Sequence, residues 1–337
     1  MEIYGTLGPA CSDENILLKM FGCGMTGMRL NLSHSSLKES EAVTDMFHRA
    51  ASRAGVKAGL IIDMKGPEQR IGKMDTPVRC RRGGTLSGIP FPAILLPACS
   101  EGCGFLINDG KVLVRAKAKN RFEWDESGEY FFPELLVVRE GMIEGGKSIA
   151  VSLDAGENYS KNRLSPVSPY DEENLKYAKK AGVTGIMQPF VRSGEDLLIL
   201  RKAMEKYGCQ DLRVFAKIEN TDGVRNLADI AEYADEIVIA RGDLGNSIPL
   251  WELPRIQKTI SKKCREYKKP FMVVTQMLES MIENPVPTRA EVSDIYNAAL
   301  DGASSLMVTG ETAVGKYPVE VIRYLVKTAD EINRINI

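Results

Sequence analysis

Short apolar runs rich in β-branched residues alternate with amphipathic stretches along most of this chain, and this alternation restricts its possible folds more than any other feature. We count eight strand–helix units, three before a long interruption and five after it. Such units indicate parallel strands, and eight of them favour a closed (β/α)8 TIM barrel over an open doubly wound sheet. The predicted strands are Ile3–Leu7, Gly27–Leu32, Ala58–Asp63, Gly185–Phe190, Arg213–Ile218, Glu236–Ala240, Phe271–Thr275 and Ser304–Val308.

The rhythm breaks between residues 66 and 164, where we find no long helical period. Glycine pairs such as Gly83-Gly84 and short alternating runs such as Lys111–Ala116 indicate turns and strands instead. We therefore expect residues 1–65 and 165–337 to form the barrel. Residues 66–164 are predicted to form a β-rich lid domain inserted after the third strand.

Composition excludes several classes of protein. Lys and Arg number 44 against 45 Asp and Glu, a net charge of −1, so nothing indicates a nucleic-acid or membrane-surface partner. The apolar runs are shorter than the roughly 18 residues that span a bilayer, and the N-terminus shows no secretion signal. Seven cysteines without a CxxC pair fit free thiols in a reducing compartment. We expect a cytoplasmic protein that acts on small molecules, and a homo-oligomer formed through barrel surfaces is compatible with the sequence.

The active site of a (β/α)8 barrel lies at the carboxyl ends of its strands, and polar residues follow nearly every predicted strand here. Side chains two apart on a strand share a face, so each strand end is expected to aim a set of polar groups inward. These sets are Arg29 with Asn31 and Ser33, Lys217 with Glu219, and Arg241 with Asp243.

Charge that points into a packed barrel needs a partner, a metal or a ligand. Glu219 and Asp243 suggest Mg²⁺, which typically takes one or two carboxylates. An anionic, phosphorylated substrate would suit the cations, and together the parts match phosphoryl transfer. Neither a GxxxxGK[ST] loop nor a GxGxxG motif is present. The cations concerned are Arg29, Arg70, Arg192 and Lys217.

Eight segments, in order from residue 3 to about residue 330, resemble the pyruvate kinase family. They are Thr6–Ala10, Met28–His34, Asp63–Glu68, Lys217–Asn220, Arg241–Gly245, Thr275–Met281, Pro287–Glu291 and Gly310–Ala313. Within the insertion, Ile107–Gly110 and Gly146-Lys147 resemble the family's mobile domain that closes over the nucleotide.

The resemblance implies a glycolytic reaction in which the phosphoryl group of phosphoenolpyruvate passes to ADP, giving pyruvate and ATP. Lys217 would stabilise the phosphoryl group in flight, and Thr275 would lie near the enolpyruvate methylene and its proton delivery. Arg29 would reach the phosphoryl group, and Arg70 would lie near it. The resemblance also implies that the main-chain amides of Arg241, Gly242 and Asp243 bind the substrate carboxylate.

The resemblance further implies two kinds of metal ion and a nucleotide site. Mg²⁺ or Mn²⁺ would be held by Glu219 and Asp243. K⁺ would be held by Asn31, Ser33, Asp63 and the main-chain oxygen of Met64, and Glu68 is typical of the K⁺-requiring branch. The ADP or ATP site would be bordered by Thr6, Pro9, His34 and Lys147.

The sequence departs from the family pattern at Met64, Pro189, Val292 and Thr309. It ends after the eighth barrel helix, so we expect the family's C-terminal domain, with its sugar-phosphate site, to be lacking. Two alternative functions stay open at this point. One is a Mg²⁺-dependent lyase or aldolase that acts through a pyruvate enolate on the same barrel and needs no ADP site. The other is a catalytically altered paralogue with a binding or regulatory role.

Overall fold

The computed structural model describes residues 1–33, 35–67, 69–108, 110–117, 122–151 and 165–334. It divides into two compact units. Unit 1 consists of Met1–Gly66, Ser165–Leu244 and Trp251–Ile337, and unit 2 consists of Pro67–Leu164 with Gly245–Leu250. His34 and Glu68, which the sequence analysis singled out, lie outside the described residues.

Eight parallel strands form the centre of unit 1. Numbered in chain order, they are β1 (Glu2–Thr6), β2 (Gly27–Asn31), β3 (Gly59–Asp63), β14 (Gly185–Gln188), β15 (Arg213–Ile218), β16 (Glu236–Ala240), β17 (Phe271–Val274) and β18 (Ser305–Met307). They close into a barrel in the order β1-β18-β17-β16-β15-β14-β3-β2. The predicted (β/α)8 barrel with a strand-rich insertion after its third strand is therefore confirmed.

Helices follow the barrel strands. They are α1 (Glu14–Gly22), α2 (Glu41–Ala54), α3 (Pro169–Ala178), α4 (Gly194–Lys206), α5 (Thr221–Arg225), α6 (Leu227–Tyr233), α7 (Arg241–Ser247), α8 (Leu253–Glu266), α9 (Arg289–Leu300), α10 (Gly310–Ala313) and α11 (Pro318–Asp330). Single turns of 3-10 helix span Leu250–Glu252, Glu279–Ile282 and Glu331–Arg334. No helix among the described residues is long and apolar enough to cross a membrane.

Side-chain caps fix where several helices begin. Ser168 and Asp171 form a capping box at α3, and Thr288 and Glu291 form another at α9. In each box the hydroxyl accepts from a backbone N–H that the helix cannot pair, and the carboxylate accepts in return from the N-cap amide. The fully buried carboxylate of Asp171 also accepts from the N–H groups of Lys65 (2.9 Å) and Gly66 (3.0 Å). It therefore ties the start of α3 to the chain that leaves β3.

Alternation along the strands fills the barrel with apolar side chains. Tyr4, Ile61 and Phe215 belong to one buried interior cluster, and the rings of Tyr4 and Phe215 meet edge-on with centroids 6.5 Å apart. Gly27 leaves room for this packing, because a Cβ there would lie 2.5 Å from a ring carbon of Tyr4. The next inward positions, towards the carboxyl ends of the strands, carry the polar groups described below.

Unit 2 is built from short strands. They are β4 (Val78–Cys80), β5 (Thr85–Leu86), β6 (Phe91–Pro92), β7 (Gly104–Ile107), β8 (Val112–Ala116), β9 (Glu123–Trp124), β10 (Tyr130–Phe132), β11 (Leu135–Arg139), β12 (Gly141–Ile143) and β13 (Ile149–Val151), with a 3-10 helix at Ala93–Ala98. Its largest sheet has the order β13-β7-β8-β11-β5. A separate buried core includes the rings of Phe91, Phe105 and Phe131, in which the Phe91 ring meets each of the other two edge-to-face.

Candidate active site at the carboxyl ends of the barrel strands

Four inward side chains lie just beyond the apolar interior, each two residues after an interior position of its strand. They are Thr6, Arg29, Asp63 and Lys217. Thr6 and Arg29 are neighbours in register on β1 and β2. Side chains two positions apart on a strand point to the same face. Because the residue two positions earlier points into the barrel, each of these polar side chains points into it too.

Asp63 is the central carboxylate of this group. Its Oδ2 accepts from Nε of Arg29 at 2.7 Å and lies 2.6 Å from Nη2 of Arg29. Nζ of Lys217 lies 3.3 Å from the same oxygen and 3.5 Å from Oδ1. Burial acts to raise the pKa of Asp63, but Lys217 and Arg29 outweigh it and hold that pKa below its usual range. Asp63 is therefore a carboxylate anion that orders two cations.

Lys217 also pairs with Glu219, whose Oε1 lies 2.9 Å from Nζ. Burial lowers the pKa of Lys217, but the negative charges of Asp63 and Glu219 outweigh that effect, so the pKa lies above its ordinary value. The ammonium therefore stays protonated at neutral pH, although its side chain is only 15% exposed.

Glu219 is held at the end of β15 from two sides. Its Oε2 accepts from the backbone N–H of Phe190 at 2.8 Å, and Phe190 has a left-handed backbone, with φ 53°. Burial, and then the negative charge of nearby Asp243, raise the pKa of Glu219 to about 7, although Lys217 opposes them. A buried carboxylate and a half-buried one that repel each other suit a divalent cation, which would remove the repulsion.

Thr6 supports the group from β1. Its Oγ1 donates to the carbonyl oxygen of Val308 at 2.9 Å and accepts from Nη1 of Arg29 at 3.4 Å. Its backbone N–H donates to Oγ1 of Thr312 at 2.8 Å. These bonds join the ends of β1, β2 and β18, where the barrel closes.

Thr275 follows β17 with a left-handed backbone, φ 82°, which is rare for a β-branched residue. Its side chain lies against Gly242 at the start of α7, since a Cβ on Gly242 would lie 3.2 Å from Cγ2 and 3.7 Å from Oγ1 of Thr275. The Arg241 side chain turns towards the same loop, and its Nη2 donates to the carbonyl oxygen of Thr275 at 2.6 Å. The structure thus brings Thr275 and Gly242 into contact.

Two interpretations of strand periodicity are wrong. Arg241 and Asp243 are the first and third residues of α7, so the shared strand face predicted for them does not exist. The chain at these residues is the start of a helix and not a strand, so it presents main-chain amides instead of side chains on a shared strand face. Ser33 lies in the turn beyond the end of β2, and its own backbone N–H donates to Oδ1 of Asn31 at 3.1 Å.

The interpretation of Arg192 as a phosphate-binding cation is also wrong. Its Nε and Nη2 donate to the two carboxylate oxygens of Asp196 at 2.9 Å and 2.8 Å, and the Asp196 side chain is only 4% exposed. A bidentate pair of this kind occupies the planar fork of the guanidinium. The first turn of α4 supplies this partner, so Arg192 anchors that helix.

The remaining predicted residues fall in three places. Asn31 and Asp63 are register neighbours on β2 and β3, and Met64 follows at the end of β3, where its N–H donates to the carbonyl of Met187. Pro9 is exposed after β1. Arg70 and Lys147 belong to unit 2, where Nη1 of Arg70 donates to the carbonyl of Gly146 at 2.9 Å and Nζ of Lys147 lies 3.4 Å from Glu144.

The described side chains differ in how they suit the two kinds of metal ion that the sequence suggests. Across the described part of the chain, no group of three or more His, Cys, Asp or Glu side chains could hold a metal ion. Mg²⁺ needs fewer protein ligands, because it keeps several waters and uses one or two carboxylates, so Glu219 and Asp243 fit it. The oxygen donors of Asn31 and Asp63, which are register neighbours on β2 and β3, suit a monovalent cation of low charge density.

Sequence reasoning missed two groups that shape the site. They are the N–H of Phe190, which binds Glu219, and the carboxylate of Asp294, which accepts from Arg241 at 2.6 Å. A backbone donor carries no residue signal, and Asp294 is marked only by lying close after the family-like segment Pro287–Glu291. Glu311, which lies in the family-like segment Gly310–Ala313, is buried and accepts from the N–H of Leu278 at 3.1 Å.

The fold and the site define a (β/α)8-barrel protein with a buried, charge-rich group of side chains at the carboxyl ends of its strands. A family model for the pyruvate kinase barrel domain matches residues 1–86 and 102–322. The chain belongs to the pyruvate kinase family.

Curated relatives agree with this assignment. The pyruvate kinase of Aeropyrum pernix is 35% identical over 334 residues, which cover 97% of this chain and 69% of the relative. That of Geobacillus stearothermophilus is 33% identical over 96% of this chain and 55% of the relative. That of Chlamydia trachomatis is 34% identical over 96% of this chain and 66% of the relative. The chain therefore spans between 55% and 69% of the length of these relatives.

Proposed function

We propose that this chain is a phosphotransferase that moves the phosphoryl group of phosphoenolpyruvate to ADP, giving pyruvate and ATP. The observation that carries the proposal is the buried group in which Asp63 orders Arg29 and Lys217. Phosphoryl transfer depends mainly on positioned positive charge around the transferring group, and two preordered cations in a poorly solvated site supply it. Family membership gives the reaction that such a group would serve.

Lys217 and Arg29 have related roles in this proposal. When the bond between phosphorus and the enol oxygen breaks, its electron pair stays on that oxygen and leaves an enolate. The two cations offset the negative charge spread over the phosphoryl oxygens during the transfer. Because Asp63 and Glu219 keep the Lys217 ammonium protonated, that charge is available at neutral pH.

Thr275 serves the second half of the proposed reaction. The methylene carbon of the enolate must gain a proton to become the methyl group of pyruvate. The Thr275 hydroxyl lies over Gly242, beside the amides of Arg241–Asp243 that would bind the substrate carboxylate. A proton delivered from this side would meet a substrate anchored by its own carboxylate.

Glu219 and Asp243 would hold Mg²⁺, which when bound would neutralise charge on the phosphoryl oxygens. Asn31, Ser33, Asp63 and the main-chain oxygen of Met64 would hold K⁺. Pro189 stands where the family has serine, and it packs against Gly66, where a Cβ would lie 2.5 Å from its Cγ. We extend the proposal to Arg70 for the phosphoryl group and to Thr6, Pro9, His34 and Lys147 for the nucleotide, with residues 66–164 as the lid.

The test is ATP formation from phosphoenolpyruvate and ADP with Mg²⁺, in KCl and in NaCl at equal ionic strength. We expect ATP to form, and to form much faster in KCl. ATP formation at the same rate in both salts would overturn the K⁺ site but not the reaction. Absence of ATP together with solvent deuterium entering the methyl group of pyruvate without nucleotide would favour the lyase alternative, and absence of both would favour a binding role.

A further inference from the structure

The turn after β17 has an unusual backbone. Thr275 and Gln276 are both left-handed, with φ 82° and 54°. Side chains other than glycine disfavour this region because Cβ approaches the following carbonyl, and a β-branched residue disfavours it most. Two such residues in succession keep their geometry only where the surroundings hold them, and strain of this kind is typical of functional sites.

The guanidinium of Arg241 holds this turn by donating hydrogen bonds to its carbonyl oxygens. Its Nε and Nη2 donate to the carbonyl oxygen of Thr275 at 3.1 Å and 2.6 Å. Nη2 also donates to the carbonyl oxygen of Gln276 at 3.3 Å and to Sδ of Met277 at 3.0 Å. One planar group thus binds three successive residues of the strained turn.

Asp294 on α9 fixes the position of the Arg241 guanidinium. Its Oδ2 lies 2.6 Å from Nη1 of Arg241, whose side chain is only 11% exposed. A carboxylate on one edge of the fork leaves the other donors free for the turn. The result is a chain of contacts that runs from α9 through Arg241 to the backbone of Thr275.

We propose that Arg241 acts in the reaction through its side chain, as a positioning residue that holds the Thr275–Gln276 turn and so keeps the Thr275 hydroxyl over Gly242. This inference rests on the proposed function, in which Thr275 delivers a proton to the enolate. In that step a C–H bond forms as the Oγ–H bond of Thr275 breaks, and solvent restores the hydroxyl proton. In reverse the methyl group of pyruvate loses a proton, so exchange of its protons in D₂O reports on this step alone.

The experiment compares Arg241→Met, Arg241→Lys and Asp294→Asn with Arg192→Met as the matched control. The control also removes a half-buried arginine–aspartate pair, but one that holds the start of α4. Each variant is measured for kcat and KM in ATP formation, and for deuterium entry into the methyl group of pyruvate with Mg²⁺, K⁺ and ATP. Thermal unfolding midpoints identify the variants that fold.

We expect Arg241→Met to lower both kcat and the exchange rate about 100-fold, since misplacing a reacting group by about 1 Å costs that much. KM for phosphoenolpyruvate should change by less than about threefold, because Arg241 holds Thr275 and not the phosphoryl group. Arg241→Lys, whose ammonium cannot reach three acceptors at once, and Asp294→Asn should each lose about tenfold. The exchange rate of the control, Arg192→Met, should stay within about twofold of the wild-type rate.

A folded Arg241→Met variant that exchanges protons as fast as Arg192→Met would overturn the positioning role. If Arg241→Met does not fold, Arg241→Lys and Asp294→Asn decide the matter, and exchange at the control rate in both would overturn it equally. Failure of the wild-type chain to form ATP would instead contradict the proposed function, so the two failures are distinguishable.

Discussion

Asp63 shows how one buried carboxylate can order a site. It contacts both Arg29 and Lys217, and only 2% of it is exposed to solvent. In the proposed reaction its value lies in fixing two cations before the substrate arrives, so that little reorganisation is needed during the transfer.

Replacing this carboxylate should cost stability as well as activity. Asp63→Asn keeps the shape but leaves two buried cations without their shared counter-charge, so we expect the free energy of unfolding to fall by about 3 kcal/mol. Urea denaturation at pH 7 measures it. Glu14→Gln is the control, because Glu14 pairs with Arg49 and Arg53 on the surface, where solvent screens the charges. Equal small changes in both variants would show that the group around Asp63 is not tightly coupled.

Arg29 and Arg192 show how far residue-level prediction reaches. Arg29 lies on β2 and Arg192 follows β14, and both look available for a phosphate in the sequence. What separates them is the acid each one meets: Asp63 on the neighbouring strand for Arg29, and Asp196 one helical turn further along the chain for Arg192. Sequence reasoning finds inward charge from strand periodicity, but it cannot choose between partners that compete for the same guanidinium.

At the scale of elements, β16 begins with a fully buried acid at the amino end of the barrel. Glu236 lies 2.6 Å from Nη2 of Arg213 and accepts from the hydroxyl of Ser305. Burial raises the pKa of Glu236 to about 7, although Ser305 and Arg213 oppose it. The native state therefore binds a proton there that the unfolded chain releases near its ordinary carboxyl pKa of about 4.3.

This difference predicts a pH dependence with a definite sign. Because the native state binds more protons than the unfolded state between about pH 4.3 and 7, the free energy of unfolding falls as pH rises through that window. Glu236→Gln should remove the fall, so that the wild type loses about 2.5 kcal/mol relative to the variant between pH 5 and 8. Urea titrations at several pH values test it. A curve for Glu236→Gln that runs parallel to that of the wild type would contradict the prediction.

The strands and most helices followed from periodicity because the apolar stripe of each element is local in the sequence. The sequence predictions fail where the backbone conformation changes from one residue to the next. The sequence pattern predicts a single helix over residues 37–54, but this helix begins at Glu41. It also predicts a single helix over residues 223–231, but the chain there is divided into α5 and α6 at Asn226. The chain turns directly from β16 into α7 at Arg241, which a period of two cannot reveal. The left-handed backbone at Thr275 is likewise a tertiary feature, held by contacts from α7 and α9.

At the scale of the whole molecule, each of the two units has its own apolar core. The two tryptophans differ in environment: Trp124 packs on Phe131 in unit 2 with ring centroids 5.8 Å apart, whereas Trp251 is 84% exposed. Tryptophan fluorescence should therefore follow unit 2. Far-ultraviolet circular dichroism should follow unit 1, which contains each described α-helix of more than seven residues.

Phe131→Ala should separate the two signals. It removes a ring that contacts Phe91, Phe122 and Trp124, a change that typically costs about 3–5 kcal/mol in a core. We expect the fluorescence midpoint in urea to fall while the circular dichroism midpoint changes much less. Phe215→Ala, in the barrel interior, should lower the circular dichroism midpoint instead. Coincident shifts of both signals in Phe131→Ala would mean that the units unfold as one.

The central claim is that Lys217 stabilises a phosphoryl group in transfer, and the turnover of Lys217→Met with phosphoenolpyruvate, ADP, Mg²⁺ and K⁺ tests it most directly. A cation needed in the transition state lowers the barrier without being needed to bind the metal. Lys206→Met is the control, since Lys206 pairs with Glu172 on the surface. We predict that Lys217→Met loses turnover by orders of magnitude while binding Mg²⁺ no more weakly, because Lys217 competes for Glu219, and that Lys206→Met matches the wild type. A folded Lys217→Met variant that kept more than about a tenth of the wild-type rate would contradict the account.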